Sequence, residues 1–93
     1  EKQIEIINAR KLGKNQNVLK MQVRDTQGTV MEAMYFGDVE AWKSYYAAKY
    51  GEAEVEAAFR GASNGIRMSV VYYPEINDYQ GIESIQLIIR NYQ

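Results

Sequence analysis

A chain without histidine or cysteine has few ways to do chemistry, and this one has neither. It lacks the commonest general base and metal ligand, and it lacks a thiolate nucleophile. What remains is a set of cations, rings and amides: Lys14, Lys20 and Arg24, then Tyr35, Tyr73 and Tyr79, then Asn77 and Gln80. Lysine and arginine neutralise phosphates, ring faces stack on flat partners, and side-chain amides both donate and accept. Each residue also has a plainer reading: Lys20 and Arg24 as solvated strand charges, Tyr79 as a lid on its hairpin, Asn77 as a turn former. No carboxylate pair stands at a catalytic spacing, so a stand-alone enzyme has little support.

The elements that must position these residues follow from periodicity. Residues 3–11 begin with alternation, Ile4 and Ile6 facing one way, and predict a first strand. Residues 13–17 form a turn by composition. Residues 18–25 predict a second strand, with Leu19, Met21 and Val23 inward and Val18, Lys20, Gln22 and Arg24 outward. Residues 29–36 predict a third, whose facing is ambiguous. Met34 and Phe36 are taken as inward, which leaves Tyr35 outward beside the basic row.

Asp38 is a good N-cap for a helix whose stripe Val39, Trp42, Tyr46 and Tyr50 is core by its spacing. Gly51 should end it in a left-handed cap. Residues 52–60 predict a second short helix, with Val55, Ala58 and Phe59 on one side and a solvated face of Glu52, Glu54 and Glu56. Residues 66–73 and 83–90 predict two more strands around a loop at 74–81, which holds the only proline. In the last strand Ile85, Leu87 and Ile89 are expected inward and Ile88 outward.

The order β-β-β-α-β-β predicts an all-β fold with a helical insert, a five-stranded OB-fold barrel. An open meander sheet backed by helices and a Greek-key sandwich compete with it, and five strands are few for the sandwich. That barrel binds ligands on strands two and three and on the loops between strands 1–2 and 4–5. Here the loops hold Lys14, Asn77, Tyr79 and Gln80.

Ninety-three residues make one domain with a modest core. Net charge is −1, but residues 1–24 carry six cations against two carboxylates, and the remainder carries five against ten. A basic first third suggests a local anion-binding face on a domain that binds weakly alone. No apolar run reaches a membrane span and no signal pattern opens the chain, so a cytoplasmic location and no membrane partner are expected. The first residue is Glu1, not Met, which suggests a piece of a larger multidomain protein.

The stretch Val71-Tyr72-Tyr73-Pro74-Glu75-Ile76-Asn77-Asp78-Tyr79-Gln80-Gly81, followed by Ser84-Ile85-Gln86-Leu87-Ile88-Ile89, resembles the C-terminal OB-fold domain of RecJ-type single-stranded-DNA-specific exonucleases. Asn8-Ala9-Arg10, Leu12-Gly13-Lys14, Leu19-Lys20-Met21 and Ala33-Met34-Tyr35-Phe36-Gly37 are similar to the family's other strands, so the likeness spans most of the chain. The resemblance implies an accessory domain that helps hold single-stranded DNA for a 5′-to-3′ exonuclease of DNA repair and recombination. Cutting would belong to other domains of the parent chain, which bind Mn2+ or Mg2+; no cofactor is implied here. The catalytic domains and a single-strand-binding protein are the implied protein partners. One departure is Gln80, where the family often has arginine.

Two readings follow. In one, Lys14, Lys20 and Arg24 contact phosphates, Tyr79, Tyr73 and Tyr35 stack, and Asn77 and Gln80 hydrogen-bond. In the other, the same surface packs against the catalytic domains or a partner protein.

Overall fold

The computed structural model describes residues 2–15 and 17–93, with the backbone alone at Asn77 and Tyr79. Its elements are β1 (Lys2–Leu12), β2 (Val18–Asp25), β3 (Val30–Phe36), α1 (Val39–Tyr50), α2 (Glu52–Phe59), β4 (Arg67–Tyr79) and β5 (Ile82–Tyr92). The strands close into a barrel in the order β1-β2-β3-β5-β4. The β3–β5 pair is parallel and the others are antiparallel. Closure is a short seam, from Lys2 opposite Val70 to Glu5 opposite Arg67. With the helices inserted between β3 and β4, this is the expected OB-fold.

Alternation fills the barrel. Ile4, Ile6, Leu19, Met21, Val23, Ala33, Met68, Val70, Leu87 and Ile89 are buried in one core cluster. The helical insert plugs it. Asp38 caps α1, its carboxylate accepting the Ala41 amide at 3.0 Å. The predicted stripe turns inward: Val39, Trp42 and Tyr46 are buried and Tyr50 packs beside them. Trp42 donates from Nε1 to the Met68 sulfur at 3.3 Å, and its ring meets Phe59 edge-on at 6.3 Å. The hydroxyls of Tyr46 and Tyr50 donate to the Gln93 and Arg67 carbonyls, so neither ring buries an unpaired oxygen. Burial pushes the Tyr46 hydroxyl pKa well above its usual value. Gly51 does take positive φ, 102°, but with ψ 148° it is not a left-handed helical cap. It turns the chain directly into α2, whose Val55 and Ala58 join the core as expected. Glu54 is not merely solvated, because it accepts the Gly65 amide at 2.9 Å.

Asn64 ties the loop before β4 to β1. Register slips between Ile6 and Asn8, and the Ile6 amide donates away from β2, to the Ile66 carbonyl at 3.3 Å. Asn64 Nδ2 donates to the Ile6 carbonyl at 3.1 Å, while its Oδ1 accepts the Ile66 amide at 3.1 Å. Asn64→Ala would leave both groups without their partner. The expected loss is about 1–3 kcal/mol, read as a lower urea midpoint at unchanged slope. A parental midpoint would mean that water replaces the amide at no cost.

Three further expectations are corrected. First, β3 faces the other way: Ala33 is fully buried, Met31 and Tyr35 pack on the core, and Phe36 is 60% exposed. Glu32 shares the parity of Met34 and Phe36, and pointing a carboxylate inward would cost more than exposing a phenyl ring. The Tyr35 ring instead meets Tyr92 edge-on at 5.3 Å and lies against Gly37, where a Cβ would come within 2.5 Å of it.

Second, residues 74–81 are not a loop. Strand β4 runs on through Pro74 to Tyr79, and the turn is only Gln80-Gly81, with φ 54° and 80°. Positive φ at both turn positions suits the twist of a two-residue hairpin. Pro74 is tolerated because, among the described residues, β4 pairs from Tyr72 on with β5 alone and its other edge is open. Glutamine is a poor occupant of a positive φ. Gln80→Asn is expected to raise stability by about 0.5 kcal/mol, roughly 2–4 °C in Tm, as measured by thermal denaturation.

Third, β5 holds a bulge. Val71 opposes Asn91 but Tyr72 opposes Ile89, so Arg90 is the extra residue. Ile88 is buried on the outer side, in register between Met34 and Tyr73. Ile85, expected inward, is 60% exposed opposite Ile76, because both lie where the β4–β5 ribbon projects past the barrel.

Candidate nucleic-acid interface

The outward residues of the five strands form level rows, set by register. One row runs Arg10, Lys20, Met34, Ile88, Tyr73 across all five strands. The next, toward the hairpin tip, runs Asn8, Gln22, Glu32, Gln86, Glu75. On the other side Val18 opposes Phe36, at the end where the β1–β2 turn carries Lys14. The β1–β2 turn and the β4–β5 tip therefore stand at opposite ends of the β2–β3 face.

Lys20 and Tyr73 thus share a row. Arg24 lies at the tip end, opposite Val30. Lys14 is exposed on its turn. The backbones of Asn77 and Tyr79 pair with Ser84 and Ile82; their side chains lie outside the described residues. Gln80 is exposed and acts first as a turn former. Tyr35 is not beside the basic row, since its ring is in the inner layer.

Two of the expected cations are already engaged. Lys20 sits 3.7 Å from Glu32, and Arg24 shares Glu5 with Arg67 at 3.9 and 3.7 Å. These are loose, partly exposed pairs, which a phosphate can displace at little cost. Among the described residues no carboxylate lies within 4.0 Å of Arg10, Lys14 or Arg90. Asp25 closes the β2–β3 turn. The Thr29 amide first, with the Gln27 amide and the Lys2 ammonium, holds its carboxyl below the usual carboxylate range.

Sequence reasoning missed two residues that complete the face. Tyr73 is 43% exposed, and the Arg90 guanidinium lies over its ring at 5.7 Å from the centroid. Arg90 reaches it because of the β5 bulge, which no periodicity reveals. Phe36 presents a second exposed ring, and the parity of Glu32 was the available signal for it. The face is thus a pair of rings set among cations, with an amide-rich row beside them.

A family model described as the RecJ OB domain matches residues 1–91. This chain belongs to that family. No curated protein and no solved structure matches it significantly. The RecJ OB domain thus accounts for essentially all of the chain, and its rows of side chains can be read as the outer face of that domain.

Two hollows compare on this surface. The larger, about 530 Å³, is an open groove between α1 and α2 lined by Glu40, Lys43, Glu52 and Glu56. The smaller, about 250 Å³, lies on the β1–β2–β3 face and is lined by Asn8, Arg10, Lys20, Gln22 and Glu32. The smaller one lies on the same outer face as the exposed rings and holds donors and acceptors of both charges, so the chemistry favours it over the larger. No helix is long and apolar enough to span a membrane.

Proposed function

We propose that this RecJ OB domain is an accessory single-stranded-DNA-binding domain of a 5′-to-3′ single-strand-specific exonuclease, and that it holds the strand without cutting it. The observation that carries this reading is the half-exposed Tyr73 ring under Arg90, level with Lys20 on one face. Ring faces stack on bases of any identity, and the flanking cations meet the phosphates. Arg10, Lys14 and Arg90 are the available phosphate contacts; Lys20 and Arg24 join on exchanging their carboxylates for the strand. The parent's divalent metal belongs to its catalytic domains. Among the described residues no three carboxylates gather to hold one.

A fluorescent (dT)15 titrated with the 93-residue chain tests this, with backbone amides followed by NMR. Arg10, Lys14 and Arg90 alone predict a slope of log K on log salt of about −2, steepening toward about −3.5 as Lys20 and Arg24 join, since each contact contributes about −0.7 on a single strand. Shifts should map to the turn after β1 and to the Tyr73–Arg90 region. A flat salt dependence would remove the phosphate contacts.

One feature favours a second reading. Ile76 and Ile85, on the same side of the projecting ribbon, are 68% and 60% exposed, which suits packing against the parent's catalytic domains. Lys20→Glu separates the two readings. It weakens strand binding if the face holds DNA and leaves binding by the parent enzyme unchanged if the face only docks protein.

A further inference from the structure

A face meant only to grip phosphates would not place a carboxylate at its centre, and Glu32 is there. It stands mid-row between Gln22 and Gln86, with its side chain 42% exposed. Gln86 donates to Oε2 at 3.1 Å and fixes the plane of the carboxylate, while Lys20 approaches Oε1 only to 3.7 Å. A carboxylate has about four acceptor positions, so Glu32 keeps acceptor capacity toward the hollow it lines. Lys20 beside Glu32 and Arg10 on β1 also line the hollow, and Asn8 is locked to Gln22 at 2.8 Å. The hollow thus holds a carboxylate acceptor from β3 and cationic donors from β1 and β2, one row from Tyr73.

Among the bases, guanine matches both the carboxylate and the cations. Its N1–H and N2–H2 donors suit a carboxylate, and its O6 and N7 acceptors suit arginine or lysine. Thymine offers one N–H between two carbonyl oxygens, which a carboxylate repels. We propose that the Glu32 hollow is a base-reading subsite that prefers guanine over thymine, with Glu32 as its specificity-determining residue. This rests on the strand-binding reading above.

The test compares 12-mers in lithium buffer, which suppresses guanine quadruplexes: (dT)12, an alternating thymine–guanine strand, and the same strand with inosine for guanine. Inosine stacks as guanine does but lacks the 2-amino group, so it separates edge reading from stacking. The guanine strand should bind the chain about tenfold tighter than (dT)12, within the range of one bidentate base contact. Inosine, or Glu32→Gln, should bring that ratio below about twofold. Equal binding of the guanine and inosine strands would overturn the subsite alone, as would a preference that survives in Glu32→Gln. Failure to bind any strand would overturn the strand-binding reading, and the subsite with it. Glu32 is a surface residue, and unchanged amide spectra away from the face would establish that the variant is folded.

Discussion

Trp42→Ala is expected to cost about 3–5 kcal/mol, the usual range for removing a large buried ring. A domain of this length has a total stability of only about 5–14 kcal/mol, so the loss is a large share of it and should lower Tm by roughly 12–40 °C. The ring is 1% exposed and stands at the centre of the plug, 5.0 Å from the Tyr46 ring and edge-on to Phe59. No single neighbour can collapse into the space, because these contacts come from both helices and from Met68 on β4. Trp42→Phe keeps much of the volume and should lose about 1–2 kcal/mol. Urea midpoints of the two variants check both values. A small loss in the alanine variant would mean that the helices pack loosely on the barrel end and can shift to close the gap.

The second large effect concerns the exposed rings. Removing Phe36 and Tyr73 together should weaken binding of (dT)15 at least about thirtyfold, since each stacking ring contributes about 1–3 kcal/mol. Stability should change little, because both rings are about half exposed and outside the core cluster. Tyr73→Phe retains the ring under Arg90 and should retain most of the affinity. Fluorescence anisotropy titrations of the double and single variants measure this directly. Unaltered affinity in the double variant would leave the phosphate contacts to explain binding alone.

Much of this architecture was legible because amphipathic patterns repeat. The second strand was read at its observed bounds, since apolar and polar residues alternate without exception from Leu19 to Arg24. The aromatic stripe of α1 was read as core, and it is core, because a spacing of three and four residues puts those rings on one side. The third strand failed the same test for a physical reason: it carries large apolar residues on both faces. Glu32 decided the outcome, and the sequence contained that clue. Alternation faces Arg90 outward, as observed, but the facing of Phe36 and the contact of Arg90 with Tyr73 depend on partners. The bulge at Arg90 exists only where β5 must keep register with β4. Proline usually ends a strand, so the sequence predicts a shorter hairpin than the one observed. Only the topology shows that β4 has an open edge there.

That open edge has a consequence for how the chain lives among copies of itself. An isoleucine-bearing ribbon with unpaired backbone along one side is a template on which another extended chain can build. Pro74 removes one donor from the row, and Glu75 and Asp78 put negative charge beside it. A second chain laid alongside would meet a gap in the hydrogen bonds and two like charges. The residue that looks like a strand breaker thus works as a gatekeeper, letting the arm reach into water without seeding fibres.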